Sequence, residues 1–299
     1  MASNCSALAV YMLGLAFGIA IVLILEHPHD VRFLYRTVVP VRNVESVIPW
    51  SSSSPVADVD NSLKPNSQQK AQQQRILCWV MTTNLIVKGK AVKETWGKHC
   101  DTLLFMSSKA DPEFPAVGLD VLEGRDKPWD KTHVGWSYVY QHHFHDAEWF
   151  VKADDETYMI IENLRYLLSN MNSSEPRYLG RHVMGQDQHK TEGPVYIFSS
   201  EMLRRFKQAL GESSCPKEHD DESEALRMCL KAMGVLPTNT RDSTDRETFL
   251  IFPKEDNTKS FWEESTDHAI SFHNINPGMM YHMEYFVYRQ SVLEPNLPT

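Results

Sequence analysis

Apolar and polar positions follow two different periods along this chain, and these periods predict strands and helices in alternation. Runs rich in aromatic and β-branched residues are typical of buried strands, and they occupy residues 75–82, 102–108, 119–124, 149–153 and 193–200. Helical spacing of apolar residues predicts helices over 90–99, 130–144, 159–168 and 200–211, the last with Ser200 as its cap and Gly211 as its stop. Strands alternating with helices predict an α/β fold with a mostly parallel sheet.

Three consecutive carboxylates follow one of these strands, in the stretch "FVKADDETYM" (150–159). Asp154, Asp155 and Glu156 fall on the turn between a buried strand and a helix. Acidic residues favour the first turn of a helix because of the helix dipole. They are equally suited to hold a divalent cation for a phosphorylated ligand. Ligands of parallel sheets bind at the carboxyl ends of strands, where this turn is predicted to lie. The turn therefore remains compatible with a helix start and with a cation site.

The first 74 residues differ in composition from the rest. Residues 7–25 carry no charge over 19 positions, which is long enough to span a membrane. Residues 1–6 lack the Lys or Arg of a cleaved signal peptide, so a signal anchor is predicted. Residues 26–74 are polar with scattered prolines, as in a stem, and 75–299 form the predicted globular domain. Arg32 and Arg36 follow the span, against a simple positive-inside rule.

The net charge limits which class of ligand the protein can bind, and the cysteine content indicates the cellular compartment. A net charge of −9 without any basic run excludes a nucleic-acid partner. Spacing pairs Cys78 with Cys100 and Cys215 with Cys229, and no C-x-x-C or C-x-x-H motif supports the rival zinc site. Paired cysteines fit an oxidising lumen, where Asn172 of "NSS" would be a glycosylation acceptor.

Several motifs occur in the order typical of one known family. They run from Arg75 to Tyr288 and comprise "RILCWVMT", "VKETWGKHC", "LFMSS", "FPAVGL", "EGRD", "DAEWFVKADDETY", "ENLRYLL" and "SFHNINPGMMYHMEYFVY". The chain thereby resembles the core 1 β1,3-galactosyltransferases, the glycoprotein-N-acetylgalactosamine 3-β-galactosyltransferase family. The resemblance implies a single-pass type II Golgi membrane protein with a luminal GT-A (Rossmann-like) domain. It further implies UDP-galactose as donor, Mn²⁺ or Mg²⁺ as cofactor and GalNAc on Ser or Thr of a glycoprotein as acceptor. A homodimer is left open.

The resemblance also assigns roles to individual residues. It implies Asp154, Glu156 and His273 as metal ligands, with Glu156 standing where the family usually has Asp. Two carboxylates and one imidazole form a ligand set that suits Mn²⁺ or Mg²⁺. The family's pattern also implies a set of positions that contact the nucleotide donor: Met81, Glu123, Gly124, Arg125, Lys131 and Asp154. For contact with the face of a sugar it implies Trp262 and Tyr281. Trp262 and Tyr281 fit a core position equally well.

This chain departs from the family pattern where the catalytic base is expected. The family's Glu-Asp falls on Glu222 and Ser223, and a serine cannot by itself take the acceptor proton in an inverting transfer. Ser223 is predicted to cap a helix, and Glu222 is predicted to be the best substitute base, with Asp221 and Glu224 as alternatives. The family's glycine turn is replaced by "EGPVY" (192–196).

Two functions follow from these observations. The first is a UDP-sugar-dependent inverting β1,3-galactosyltransferase. The alternative is a catalytically weak or inactive family member that acts as a binding or chaperone-like protein. A calcium-binding module is not supported, because "DDET" lacks the spacing of an EF-hand.

Overall fold

The computed structural model describes residues 74–82, 84–119, 128–182, 191–212, 215–253, 261 and 265–290. Contacts divide the chain into two compact units, Ile48–Glu284 and a second made of Met1–Val47 with Tyr285–Thr299. Both sheets and the candidate site belong to the first unit. The predicted anchor at 7–25 lies outside the described residues, and none of the helices that are described is long and apolar enough to cross a membrane.

Nine strands and six α-helices are described, and helices separate single strands or pairs of strands over the first half. The strands are β1 (Ile76–Met81), β2 (Thr102–Ser107), β3 (Ala116–Gly118), β4 (Trp149–Asp154), β5 (Tyr158–Met159), β6 (Tyr178–His182), β7 (Thr191–Ser199), β8 (Phe249–Ile251) and β9 (Ser271–His273). The helices are α1 (Lys90–Glu94), α2 (Pro128–His143), α3 (Ile161–Leu168), α4 (Ser200–Gly211), α5 (Glu222–Ala232) and α6 (Pro277–Tyr288). A π-helical turn (Leu85–Gly89) precedes α1, and a 3₁₀ turn (Trp96–His99) follows it.

The main sheet has six strands in the order β3-β2-β1-β4-β7-β6. The four strands β3, β2, β1 and β4 are parallel, and β7 and β6 are antiparallel to their neighbours. A smaller sheet in the order β5-β9-β8 follows directly from the end of β4. The predicted α/β class and mostly parallel sheet are therefore confirmed.

One face of the main sheet packs against α2, α4 and α5 through large aromatic side chains. Trp79 of β1 meets Trp136 of α2 edge to face, with ring centroids 5.1 Å apart. Trp136 in turn stacks on Phe198 of β7 at 4.4 Å. Gly135 lets the helix approach this closely, because a Cβ there would lie 3.0 Å from the Trp79 ring. These buried rings belong to the core between sheet and helices.

Both predicted disulfides are present. Cys78–Cys100 joins β1 to the residue that follows the 3₁₀ turn, and Cys215–Cys229 joins the loop before α5 to that helix. Each closes a short segment of chain, and such a bridge stabilises by about 3 kcal/mol in the loop-entropy description.

Several predicted boundaries were wrong by a few residues. The helix expected over 90–99 is broken at Thr95, whose backbone (φ −111°, ψ −116°) leaves the helical region while its hydroxyl donates to the Ala91 carbonyl. The strand expected at 119–124 lies, apart from Leu119, outside the described residues; the described strand β3 (Ala116–Gly118) precedes it and pairs with β2. The cap of α4 is Ser199 rather than Ser200, because the Ser199 hydroxyl accepts from the Met202 amide at 3.1 Å.

A buried carboxylate ties α6 to the smaller sheet and to the 3₁₀ turn. Glu284 is 7% exposed and accepts from Tyr158 Oη at 3.1 Å, with Lys98 Nζ at 2.6 Å and His99 Nε2 at 3.1 Å. Burial by itself raises the pKa of Glu284, but the hydrogen bonds from His99 and Lys98 outweigh it and hold the pKa below its usual value. The ionised form is therefore the one that stabilises the fold.

We expect Glu284→Gln to lower the free energy of unfolding at pH 7 by about 1.5–3 kcal/mol, as for loss of a charged hydrogen-bond partner. A folded pKa below the unfolded value gives a contribution that is present at neutral pH and lost as pH falls through the folded pKa. The difference between variant and wild type should therefore shrink in acid. Urea unfolding at a series of pH values measures this, with the more exposed Glu162→Gln as control. Equal stabilities at pH 7 would contradict the assignment.

Candidate functional site

The carboxylate turn lies at the carboxyl end of β4, in the centre of the main sheet. Asp154 is the last residue of β4 and is paired across the ladder with Met81, the last residue of β1. Its Oδ1 accepts from the Thr157 hydroxyl at 2.6 Å and from the Glu156 amide at 3.2 Å. These local bonds hold the turn and fix the direction of the Asp154 side chain.

The smaller sheet brings His273 to this carboxylate. β5 begins one residue after Thr157 and pairs with β9, whose last residue is His273. His273 Nδ1 consequently lies 3.6 Å from Asp154 Oδ1 and 3.4 Å from Thr157 Oγ1. Burial raises the pKa of Asp154, but the nearby His273 imidazole and the hydrogen bond from Thr157 outweigh it and hold the pKa below its usual value. The pair is therefore an ionised carboxylate beside an imidazole.

The other two carboxylates of the turn face the segment that follows β1. Asp155 Oδ2 accepts from the Thr82 hydroxyl at 2.6 Å, and its Oδ1 lies 3.5 Å from Lys88 Nζ. Lys88 Nζ also donates to Glu156 Oε1 at 2.6 Å. The hydrogen bond to Glu156 raises the pKa of Lys88, which keeps the ammonium charged. The structure thus brings Asp154 and His273 together and holds Glu156 to Lys88.

A divalent cation fits part of the predicted ligand set. Among the residues described, no group of three or more His, Cys, Asp and Glu side chains is arranged to hold a metal ion. The Asp154–His273 pair offers one oxygen and one nitrogen, and hard cations often take one or two protein ligands and complete their shell with phosphate oxygens and water. Asp154 and His273 therefore fit a cation that is shared with a phosphorylated ligand. Glu156, as placed, does not join them.

A buried lysine on β4 is the feature that sequence reasoning missed. Lys152 lies on the same face as Asp154, its side chain is 4% exposed, and its Nζ donates to Glu222 Oε1 at 2.7 Å. The ammonium also lies 5.0 Å from the centroid of the Tyr196 ring. The only sequence signal was a charged residue inside the apolar run "WFVKA", because a lysine within a buried strand requires a partner.

The start of α5 determines where Glu222 points. The helix begins at Glu222 and is capped by Asp221, whose side chain accepts from the Glu224 amide at 3.1 Å. The prediction that Ser223 caps this helix was therefore wrong, since Ser223 lies inside the first turn. Glu222 turns inward to Lys152 and is 17% exposed, while Glu224 is bonded to Arg227. Of the three candidate bases, Glu222 is the one that faces β4.

The expected base position itself faces a buried phenol. Ser223 Oγ lies 3.3 Å from Tyr196 Oη. Burial, and then the nearby charge of Glu222, raises the pKa of Tyr196 well above its usual value, so the phenol stays protonated. Tyr196, Ser223, Glu222 and Lys152 form one polar cluster on the face of the sheet that also carries Asp154.

The remaining predicted residues are placed as follows. Lys131 lies in the first turn of α2 and is partly exposed. Tyr281 is 40% exposed and donates to Glu94 at 2.6 Å, a hydrogen bond that raises the pKa of Tyr281 to about 12, so it is not a core residue. Asn172 is exposed in the loop after α3. The predicted residues that lie outside the described part are Glu123, Gly124, Arg125 and Trp262.

Comparisons with known proteins point to one class of enzyme. Residues 73–209 match the family described as Fringe-like. The glycoprotein-N-acetylgalactosamine 3-beta-galactosyltransferase 1 of Xenopus laevis is 39% identical over 253 residues, which cover 77% of this chain and 69% of that relative. Chondroitin sulfate synthase 3 of Mus musculus is 25% identical over 72% of this chain but only 27% of its own length. The beta-1,3-glucosyltransferase of Mus musculus is 28% identical over 50% of this chain and 31% of its own length.

A solved structure gives only a weak likeness. The glycosyltransferase involved in the glycosylation of the major capsid of PBCV-1 superposes with a TM-score of 0.41 at 13% identity, covering 70% of this chain and 99% of its own.

The Lys152–Glu222 ion pair can be tested by a double-mutant cycle. Lys152→Met and Glu222→Gln each remove one partner of a pair shielded from water, which is strongly destabilising when the other charge stays buried. We expect the double variant to lose less than the sum of the two single losses, with a coupling of about 0.5–3 kcal/mol in thermal unfolding. The exposed pair Arg204–Glu201 serves as the control cycle and should couple more weakly. Additive losses for Lys152 and Glu222 would contradict the pairing.

Proposed function

Because the chain belongs to the glycoprotein-N-acetylgalactosamine 3-β-galactosyltransferase family, we propose that it transfers galactose from UDP-galactose to GalNAc on Ser or Thr of glycoproteins, with inversion and in β1,3 linkage. The domain is then of the GT-A type. The alternative of a binding or chaperone-like protein is not favoured by relatives that are themselves transferases.

One observation carries this proposal: the Asp154–His273 pair at the carboxyl ends of the parallel strands β1 and β4. Ligands of such sheets bind at this edge. Asp154 and His273 would hold the Mn²⁺ or Mg²⁺ of the donor, and that cation supplies positive charge to the departing diphosphate. Met81, paired with Asp154, borders the same edge. We assign the other family-implied donor contacts to Glu123, Gly124, Arg125 and Lys131, and the sugar contacts to Trp262 and Tyr281.

Glu222 is our assignment for the base. In an inverting transfer the acceptor hydroxyl oxygen forms a bond to the galactose C1 while the bond from C1 to UDP breaks, and UDP leaves with the electron pair. The hydroxyl proton passes to the Glu222 carboxylate. Lys152 bonds to Oε1 and directs the side chain to the face of Asp154, which supports Oε2 as the proton acceptor. Ser223 and Tyr196, as neutral hydroxyl groups, are suited to orient the acceptor rather than to deprotonate it.

We place the reaction in the Golgi lumen, with residues 7–25 as a signal anchor and 26–74 as a stem. Two disulfides support an oxidising compartment. The exposed Asn172 is then available for N-glycosylation.

The donor site is tested by Asp154→Asn and His273→Ala in a transfer assay with several UDP-sugars, with and without Mn²⁺, on GalNAc-peptides. Charge stabilisation by a metal is worth several kcal/mol, so we expect turnover to fall by about 10²-fold or more. Asp146→Asn is the matched control, because Asp146 forms a similar pair with His143 at 2.8 Å outside the site. Unchanged turnover in the Asp154 and His273 variants would refute the donor site.

The base is tested by Glu222→Gln, with Glu224→Gln in the same helical turn as control. General-base assistance is worth about 10²–10⁴-fold, so kcat should fall by that factor while UDP affinity is retained. Full turnover in Glu222→Gln would exclude this role. A wild-type chain that binds UDP without making product, and that gains transfer on Ser223→Asp, would instead support the inactive alternative.

A further inference from the structure

Lys88 occupies the position between two of the three carboxylates of the turn. Its Nζ lies 2.6 Å from Glu156 Oε1 and 3.5 Å from Asp155 Oδ1. The Lys88 side chain is 25% exposed, so the ion pair is only partly screened by water. A divalent cation that used Asp155 or Glu156 as a ligand would have to displace this ammonium.

The backbone around Lys88 is fixed by several bonds. Asn84 caps the π-helical turn, since its side chain accepts from the Val87 amide at 3.0 Å and its carbonyl accepts from the Lys88 amide at 3.1 Å. The Asn84 amide donates to the Thr82 hydroxyl, which itself donates to Asp155. Gly89 is buried, and a Cβ there would lie 3.1 Å from the Phe114 ring. Lys88 is therefore held beside the carboxylates by a hydrogen-bonded turn that is anchored at the buried Gly89.

We propose that Lys88 is an internal cation that withholds Asp155 and Glu156 from the metal and so weakens metal binding in the donor-free protein. The metal is then left with Asp154 and His273, and it binds firmly only when the donor diphosphate adds further oxygens. This inference rests on the proposed function, because the metal in question is that of the donor.

The competing role for Lys88 is that of a purely structural link between the segment after β1 and the turn after β4. The two roles predict opposite signs for one measurement. If Lys88 competes with the metal, its removal takes one positive charge away from Glu156 and Asp155, and binding of the metal becomes tighter. If Lys88 only holds the segment in place, its removal loosens the site, and binding stays the same or weakens.

The experiment is a titration of the donor-free full chain with Mn²⁺ alone, followed by the electron paramagnetic resonance signal of free Mn²⁺. We expect Lys88→Gln to bind Mn²⁺ about tenfold more tightly than wild type, as for the loss of one competing charge contact of about 1.4 kcal/mol. Lys88→Arg should behave as wild type. Lys90→Gln removes an equal charge two residues away, from a lysine whose partner is Glu94 at 3.8 Å, and should change the affinity by less than about twofold because exposed charges are screened.

A second variant, at Glu156, tests the same inference alone and in combination with Lys88→Gln. Glu156→Gln should leave the Mn²⁺ affinity of the wild-type chain unchanged, and should cancel the gain when it is added to Lys88→Gln. Equal or weaker Mn²⁺ binding in Lys88→Gln, or weaker binding in Glu156→Gln alone, overturns the inference. Failure of the proposed function is distinguished by Asp154→Asn, which would then leave Mn²⁺ binding and transfer unaltered.

Discussion

Strand β4 carries two charged side chains on one face of the sheet, the buried Lys152 and the partly buried Asp154, and each needs a partner there. Moving an unpaired charge out of water costs several kcal/mol, so each must be met by a group of opposite charge or by hydrogen-bond donors. Lys152 is met by Glu222 from the first turn of α5, and Asp154 by His273 from the end of β9. Each of these two contacts joins β4 to an element more than sixty residues away in the chain. Together they bring the candidate base, Glu222, and the candidate metal ligand, Asp154, to one face of the sheet.

The rest of the core makes this arrangement possible by excluding water from it. Trp79, Trp136 and Phe198 cover the sheet beside Lys152, and the Tyr196 ring lies against the ammonium. Cation–π contact of this kind contributes about 0.5–2 kcal/mol, more when the cation is desolvated. The Cys215–Cys229 disulfide fixes the segment before α5. The direction of Glu222 is therefore restrained by this disulfide and by the Asp221 cap of the helix.

The departures from the family pattern become understandable as a rearrangement of charge. Ser223 stands where the family's base is expected, while its neighbour Glu222 is the residue that faces β4. Likewise, Glu156 reaches one methylene further than the usual Asp, and that reach allows its bond to Lys88. In both places a carboxylate is present near the site and is bonded to a lysine. The candidate site therefore carries less uncompensated negative charge than the run of acidic residues suggests.

Local patterns were sufficient for the class of fold, most of the element positions, both cysteine pairs and the carboxylate turn at the end of β4. They were sufficient because period, turn chemistry and short spacing are properties of neighbouring residues. The break at Thr95 and the cap at Asp221 depend on which nearby side chain makes a local hydrogen bond, and the place of β3 depends on its pairing with β2. The partners of Lys152, Glu156 and Glu222 could not be read from the chain either, because a buried charge takes whichever opposite charge the packing of distant elements brings within reach. The sequence alone therefore determined which residues could do chemistry at this site, and the tertiary structure decided which of them meet.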